Sequence, residues 1–383
     1  MGADLPHITI PPDLLPADGR FGSGPSKVRP EAVAALAGVA GGYLGTSHRR
    51  PGVRQVVGRV RAGLATLLGL PEGYEVLVGN GGATAFWDAA AFGLIETRSQ
   101  HLSFGEFSSK FAAVARGTPH LEDPDVIESA PGTCPDPVPR EGIDVYALTH
   151  NETSTGVVAP VLRPRGSGVD AGALVVVDAT SASGGVRVDP AEFDVYYFSP
   201  QKCLASDGGL WLAACSPAGV ERIERLAASG RWLPPSLSLL LALENSRQDQ
   251  TYNTPALATL FLLAHQVEWI LDHGGLEWAA GRSEASSTIL YQWAESHPLA
   301  SPFVTAPERR SPVVVTIDLD AAADADVVSA VLRRNGIVDT ESYRKLGRNQ
   351  LRIACFPAVE PDDVMRLTRA LDHVISALAP SSS

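Results

Sequence analysis

The sequence predicts an α/β protein with a mostly parallel sheet, followed by a smaller α+β unit. Two observations carry this prediction. Short, nearly continuous apolar runs alternate with helical patterns, as is typical of parallel strands buried on both faces; they span Tyr74–Asn80, Asp144–His150, Ala173–Thr180 and Asp194–Pro200. Beyond residue 270, a strand–helix–strand–helix pattern continues to the end of the sequence, which is long enough for a second packed unit.

The elements follow one another in a consistent order. A Pro-rich arm over residues 1–16 precedes a large unit over 17–270, and a small unit covers 271–383. In the large unit, the segment "GGLWLAACS" follows the fourth strand so closely that an antiparallel pairing is expected. A long helix breaks at Gly274–Gly275. The small unit then shows strands at 311–319 and 350–356 and helices over 324–336 and from Glu360.

Composition limits the possible partners and the compartment. The 383 residues carry a net charge of −12, which disfavours binding to nucleic acid or to an anionic membrane. None of the four cysteines (Cys134, Cys203, Cys215 and Cys355) forms a C-x-x-C pair or a zinc-like spacing. The N-terminal segment lacks the pattern of a signal peptide, and no apolar run approaches the roughly 20 residues of a membrane span. We therefore expect a reduced cytoplasmic protein without a structural metal.

A ligand site is expected beyond the carboxyl ends of the strands, because open α/β sheets bind ligands there. Four segments follow predicted strands directly: Gly81–Thr84, Asn151–Thr153, Asp178–Ser181 and Ser199–Lys202. They meet at one edge of the sheet if the four strands run parallel.

Three features of these segments have both a chemical and a plain structural interpretation. The motif "NGGAT" opens a helix whose N–H groups and dipole favour a phosphate, although Gly-rich helix starts are also common as ordinary turns. Asp178 ends an apolar strand, where it either pairs with a cation or caps the following turn. Lys202 lies in the apolar stretch "FSPQKCLAS", where it is either a nucleophile of lowered pKa or a surface lysine.

Together these three features are far more specific than any one of them alone. A phosphate cradle, an aspartate and a lysine on one sheet edge match the needs of pyridoxal 5'-phosphate. The phosphate lies at the helix N-terminus, the aspartate keeps the pyridine nitrogen protonated, and the lysine forms an imine. An apolar setting for Lys202 then has a chemical reason.

Motifs along nearly the whole chain resemble the phosphoserine aminotransferases, a family within the class V aminotransferases, and most of all their actinobacterial branch. The matching segments are "FGSGPSKV", "GTSHR" (45–49), "NGGAT" (80–84), "THNETSTG" (149–156), "VVDATS" (176–181), "PQKCLASDGGLW" (200–211), "TYNTPA" (251–256) and "GRNQLRIACFP" (347–357). The resemblance implies pyridoxal-phosphate fold type I with a seven-stranded-type sheet, and a homodimer with shared active sites.

The resemblance also implies the residues that bind the cofactor. Lys202 is expected to form the Schiff base and Asp178 to bind the pyridinium. Other residues are expected to bind the remaining parts of the cofactor. Thr153 would contact the phenolic oxygen, and Phe107, where many relatives have tryptophan, would contact the ring face. The phosphate would be bound by Ala83, Thr84 and Gln201, and by Asn253 and Thr254 of the partner subunit.

Substrate recognition requires cations for a carboxylate and a phosphate. The resemblance assigns Arg352 to the α-carboxylate and the pair His48 and Arg49 to the phosphate or distal carboxylate. Relatives outside this branch have a His–Arg pair near "YRKLGR", where this chain offers Arg344, Lys345 and Arg348. The resemblance implies transamination between phosphoserine and 2-oxoglutarate in serine biosynthesis, with the 4-phosphohydroxythreonine step of pyridoxine biosynthesis also open.

Other functions remain to be distinguished. An alanine– or serine–glyoxylate aminotransferase would share Lys202 and Asp178 but needs no phosphate pocket. A cysteine desulfurase would need a mobile catalytic cysteine. A non-catalytic binding protein would not need an intact lysine and aspartate. A dinucleotide-dependent dehydrogenase is disfavoured because no G-x-G-x-x-G follows the first strand.

Overall fold

The computed structural model describes residues 6–166, 168–169 and 171–378. The described residues form twelve strands: β1 (Glu75–Asn80), β2 (Ser99–Ser103), β3 (Asp125–Glu128), β4 (Val145–Thr149), β5 (Asn151–Glu152), β6 (Val157–Val158), β7 (Leu174–Asp178), β8 (Val195–Phe198), β9 (Leu210–Cys215), β10 (Ala300–Pro302), β11 (Val314–Leu319) and β12 (Gln350–Ala354).

Ten α-helices accompany these strands in the described chain: α1 (Pro30–Tyr43), α2 (Pro51–Leu67), α3 (Ala83–Gly93), α4 (Glu106–Gly117), α5 (Pro217–Ala228), α6 (Leu239–Ser246), α7 (Leu257–Asp272), α8 (Gly275–Ser296), α9 (Ala325–Arg334) and α10 (Pro361–Leu378). The predicted break at Gly274–Gly275 is confirmed, because α7 ends two residues before Gly274 and α8 begins at Gly275.

The main sheet has seven strands in the order β1-β9-β8-β7-β4-β2-β3. The pairs β8–β7, β7–β4, β4–β2 and β2–β3 are parallel, whereas β9 is antiparallel to both β8 and β1. The prediction of a mostly parallel sheet with one antiparallel partner is therefore confirmed. Because β9 opposes both of its neighbours, β1 runs in the same direction as β8, β7 and β4.

Helices cover both faces of this sheet. Along β8, the side chains of Tyr196 and Phe198 join a core with α2 and α7, while Val195 and Tyr197 join a second core with α3, α4, α5 and α6. Successive side chains of a strand point to opposite faces, so both sets must be apolar. This double burial explains why the strands are nearly continuous apolar runs in the sequence.

A second, antiparallel sheet (β10-β11-β12) packs against α8, α9 and α10 and has a core of its own. The arm predicted over residues 1–16 packs here through Ile10, and its first five residues lie outside the described chain. Residues 19–21, predicted to belong to the large unit, also pack here. The Phe21 N–H donates to the Val338 carbonyl at 3.2 Å, and the Ala354 N–H donates to the Phe21 carbonyl at 2.9 Å.

We propose that the boundary between the two units lies in the turn between α7 and α8, close to the predicted residue 270. The support is that α7 packs on the large unit and α8 contributes to the core of the small one. None of the described helices combines the length and the apolar character that crossing a membrane would require.

Candidate active site

The four segments predicted to meet at one sheet edge do so, because β1, β4, β7 and β8 point the same way. They surround a cavity of about 220 Å³. Its walls include seven side chains that the sequence nominates: Ala83, Thr84, Phe107, Thr153, Asp178, Gln201 and Lys202. A larger groove of about 630 Å³ on the small unit is open to solvent and contains Arg344. Most of the side chains that the sequence nominates for cofactor binding, and both of those nominated for catalysis, line the smaller cavity.

Lys202 follows β8 and is held from the N-terminal segment. Its Nζ donates a hydrogen bond to the Ser23 carbonyl at 2.7 Å. A Cβ atom on Gly24 would lie 1.7 Å from the same Nζ, so a glycine is required for this close approach. The side chain is partly exposed to the cavity, yet burial of its amine, reinforced by nearby Arg352, lowers the pKa of Lys202 to about 8.

We expect Lys202→Met to stabilise the chain without cofactor at pH 7. Below pH 8 the folded protein carries a buried ammonium that the unfolded chain keeps in water, at a cost of at most about 3 kcal/mol for a pKa lowered from 10.5 to about 8. The lost hydrogen bond to Ser23 offsets about 1 kcal/mol of the gain.

The free energy of unfolding should be measured for both proteins by denaturant titration between pH 6 and 10.5. Between pH 8 and 10.5, the free energy of unfolding of the wild type should rise relative to that of Lys202→Met. In this range Lys202 is protonated in the unfolded chain but not in the folded protein. Lys110→Met, a change at a half-exposed lysine paired with Glu106, should alter stability by less than about 0.5 kcal/mol. A pH-independent difference between wild type and Lys202→Met would contradict the lowered pKa.

Asp178 ends β7 as a buried carboxylate whose two oxygens accept bonds from neutral donors. Oδ1 accepts from the Thr180 N–H at 3.0 Å and hydroxyl at 2.6 Å, and Oδ2 accepts from the Trp87 indole N–H at 3.0 Å. Burial raises the pKa of Asp178, and these bonds counteract the rise. No cation of the described residues lies within ion-pair distance of Asp178. A cationic ring nitrogen in the cavity would supply the counter-charge.

The N-terminus of α3 forms another wall. Its N-cap is Gly82, so no side chain caps the first N–H groups of the helix, and Gly82, Ala83 and Thr84 all line the cavity. Gly81 has φ +116, and a Cβ there would lie 2.8 Å from the Ala85 side chain. The tight turn thus leaves uncapped helix N–H groups beside the cavity, a suitable environment for a phosphate.

The segment after β4 contributes polar atoms around Ser181. The Thr153 hydroxyl donates to Ser181 Oγ at 2.8 Å, and the Asn151 amide donates to the same oxygen at 2.9 Å. Asn151 Oδ1 is buried without a hydrogen-bond partner in the described chain. Unpaired buried acceptors are uncommon in folded proteins, so this atom is consistent with a ligand that donates to it.

The predicted substrate cations do not line this cavity, as far as the described residues show. Arg352 is nearest: its Nη1 donates to the Thr153 carbonyl at 3.3 Å, and its guanidinium lies 5.2 Å from the centre of the Tyr343 ring. Burial lowers the pKa of Arg352, and its Nε is buried without a partner in the described chain. The Arg352 guanidinium is therefore suited to bind an anionic ligand.

His48 is buried beside the exposed segment that contains Asn253 and Thr254. His48 Nδ1 is 3.2 Å from the Thr254 hydroxyl, and Asn80 donates to the Thr254 carbonyl at 3.0 Å. Asn253, Thr254 and Arg49 are exposed. Within one chain these residues do not converge on the cavity.

Arg344 and Lys345 also lie away from the cavity. Arg344 is exposed in the open groove of the small unit. Lys345 Nζ is 2.5 Å from Glu106 Oε1, so its charge is already balanced by an acidic side chain of α4. The sequence nominates both cations but gives no sign of this pairing.

Three site residues were missed at the sequence level. Trp87 lies one turn after Ala83 on α3, and helical periodicity could have placed it on the same face. Lys110 follows Phe107 by three residues on α4 and could have been found in the same way. Ser23 contacts Lys202 across 179 positions, and no local signal in the sequence indicates that contact.

Fold and site together define the class: this is an aminotransferase with the fold of the pyridoxal-phosphate-dependent enzymes. The class V aminotransferase family model matches residues 138–340. A solved phosphoserine aminotransferase from Cytophaga hutchinsonii superposes with a TM-score of 0.83 at 26% identity, covering 93% of this chain and 99% of the other.

Close relatives narrow the class. A putative phosphoserine aminotransferase from Mycobacterium leprae is 59% identical over 373 residues, covering 97% of this chain and 98% of the relative. A phosphoserine aminotransferase from Rhodococcus jostii is 58% identical, covering 96% of this chain and 98% of the relative. This chain belongs to the phosphoserine aminotransferase family.

Proposed function

We propose that this protein transfers the amino group of O-phospho-L-serine to 2-oxoglutarate, reversibly, with pyridoxal 5'-phosphate as cofactor. The products are 3-phosphohydroxypyruvate and L-glutamate, and the reaction serves L-serine biosynthesis; the related 4-phosphohydroxythreonine step is a further candidate. The observation that carries the proposal is the meeting of Lys202, Asp178 and the uncapped α3 N-terminus in one cavity. The names of the close relatives support the choice of substrate.

Each wall of the cavity suits one part of the cofactor. We assign the phosphate to Ala83, Thr84 and Gln201, the pyridine nitrogen to Asp178, the phenolic oxygen to Thr153, the ring face to Phe107, and the covalent bond to Lys202. The bound cofactor supplies an electrophilic carbon and an electron-withdrawing ring. The unpaired Asn151 Oδ1 and the uncompensated Asp178 carboxylate support this fit.

The chemistry of this chain centres on one amine. With a pKa of about 8, Lys202 Nζ exchanges a proton readily near neutral pH, as a general base acting at the substrate Cα requires. The Ser23 carbonyl holds the amine in place. The Asp178 carboxyl group, which accepts hydrogen bonds from Trp87 and Thr180, would hold a proton on the ring nitrogen of the bound cofactor.

Substrate carboxylates are assigned to Arg352. We expect Arg352→Gln to raise KM for both phosphoserine and 2-oxoglutarate by roughly 10- to 100-fold, because a hydrogen bond to a charged group contributes about 1.5–3 kcal/mol. Steady-state kinetics with both substrates test this, with Arg333→Gln as control, since Arg333 is exposed and paired with Glu341. A loss confined to kcat would contradict this role for Arg352.

We propose a homodimer in which exposed residues of one subunit complete the site of the other. Helix α1 and the residue after it expose Val33, Val39 and Leu44, and Tyr252 is 41% exposed beside Asn253 and Thr254. In this arrangement Asn253 and Thr254 bind the cofactor phosphate of the partner subunit, and His48 and Arg49 bind the substrate phosphate. Co-expressed Lys202→Ala and Asn253→Ala chains should then recover activity that neither variant has alone.

Two assignments remain: the compartment, and the role of Arg344 and Lys345. The four cysteines are free thiols, three of them buried, which supports a cytoplasmic enzyme.

We assign Arg344 and Lys345 an auxiliary role in holding the substrate phosphate, which for Lys345 requires release from Glu106.

A half-reaction titration tests the proposal most directly. The visible spectrum of the purified holoenzyme is followed while phosphoserine, alanine or serine is added without an oxo acid. Conversion by phosphoserine at much lower concentration than by the other two supports the proposal. Equal conversion by alanine or serine would favour a glyoxylate-type aminotransferase, and the absence of a cofactor band would contradict the role of Lys202.

A further inference from the structure

Glu152 is a fully buried carboxylate with no assigned task. It lies between Asn151 and Thr153, its exposed fraction is 0%, and burial raises the pKa of Glu152. In the described part of the chain no basic side chain lies within ion-pair distance of it. A buried carboxylate is costly for folding, so its partners indicate what it does.

Those partners are donors at the start of α4. Oε2 accepts from the N–H groups of Phe107 at 3.1 Å and Ser108 at 2.9 Å, and from the Ser108 hydroxyl at 2.9 Å. Oε1 accepts from the Ser154 hydroxyl at 2.7 Å and N–H at 3.2 Å. The Glu106 N–H donates in turn to Ser154 Oγ at 3.0 Å. The first three N–H groups of α4 are therefore satisfied from the segment 152–154.

The helix start is shaped for this contact. The N-cap is Gly105, which has no side chain to cap the helix. A Cβ atom on Gly105 would lie 2.3 Å from Glu152 Cγ, so the close approach of the carboxylate excludes a larger residue. The usual serine or aspartate N-cap is replaced by a distant, buried carboxylate.

This arrangement ties two walls of the cavity together. Thr153 is the residue after Glu152 and lines the cavity from one side, while Phe107 is the second residue of α4 and lines it from another. Glu152 Oε2 holds the backbone of Phe107 directly. The Glu152 side chain, together with Ser154, thus connects the backbone that carries the Phe107 ring to the segment that carries Thr153.

We propose that Glu152 is a positioning residue, which fixes Phe107 against the cofactor ring by anchoring the first turn of α4. The role rests on the proposed function, since it assumes that Phe107 stacks on bound pyridoxal phosphate. A plain helix cap would serve stability alone. A positioning residue must in addition control how firmly, and in what orientation, the cofactor is bound.

The test uses Glu152→Gln, which keeps the size of the side chain but turns an amide donor toward either the α4 N–H groups or Ser154. We expect cofactor dissociation about tenfold faster, which corresponds to about 1.4 kcal/mol. We also expect a weaker visible circular dichroism signal from the bound cofactor, and faster hydrogen exchange at the Phe107 and Ser108 amides of the apoprotein.

Two further variants separate positioning from stability. Asp324→Ala removes the carboxylate that caps α9, on the small unit, and should lower Tm without changing cofactor dissociation or circular dichroism. Ser108→Ala deletes one bond to Oε2 and should shift the same readouts as Glu152→Gln by a smaller factor, so the proposal stays testable if Glu152→Gln does not fold.

The outcomes are distinct. If Glu152→Gln or Ser108→Ala lowers Tm but leaves cofactor dissociation and circular dichroism unchanged, Glu152 is a structural cap and the proposal is wrong. If the wild type itself binds no pyridoxal phosphate, the proposed function fails, and this role for Glu152 fails with it.

Discussion

Replacing Lys202 by alanine is expected to lower the rate of transamination by roughly a thousandfold or more. The change removes both the covalent attachment of the cofactor and the amine that moves the substrate Cα proton, and positioned acid–base groups alone contribute about 10²–10⁴-fold. The setting of Lys202 supports this expectation, since a pKa of about 8 and a bond to the Ser23 carbonyl are atypical of a surface lysine.

The measurement is kcat with phosphoserine and 2-oxoglutarate, together with single-turnover rates followed by absorbance. Lys202→Arg is the matched control because it keeps the positive charge but cannot supply a neutral amine, and it should be similarly inactive. Small primary amines added to Lys202→Ala should restore part of the rate. An alanine variant within about tenfold of wild type would contradict the assigned chemistry.

Asp178→Asn should give the second largest effect, a loss in kcat of about 10²–10³-fold, comparable to removing one preorganised electrostatic contact in other enzymes. The carboxylate is the only counter-charge that we assign to the ring nitrogen. An asparagine also turns its amide donors toward Thr180 or Trp87, which are themselves donors at this site.

The matched control for this prediction is Asp194→Asn. Asp194 is also buried, but it lies just before β8, at the opposite end of the sheet, and forms an ion pair with Arg163 at 2.8 Å. This variant should lose stability and keep kcat. If the two variants lose equal activity, the effect of Asp178→Asn reflects folding rather than the ring nitrogen.

The sequence predicts the strands and the edge at which they meet because both depend on local patterns. Apolar runs define strands such as β7, and the direction of parallel strands then places Asp178 and Lys202 together. The seven predicted side chains that share the cavity follow from this rule and from the resemblance to relatives.

Other features depend on partners that the local sequence does not reveal. The pairing of Lys345 with Glu106 joins residues 239 positions apart, and either side chain alone would pass for a solvated charge. Glu152 is a second example. Its motif resembles that of relatives, but only the structure shows that its carboxylate holds the first turn of α4.

The segment around Phe21 has a consequence for the order in which the protein can be assembled on the ribosome. Residues 19–21 leave the ribosome long before their backbone partners, Val338 and Ala354, are synthesised. Until then, the loop that holds Lys202 through Ser23 lacks these two backbone contacts. A chain halted before β12 should therefore have a folded sheet but an incompletely held Lys202 amine, so that nascent chains remain inactive until β12 has been synthesised.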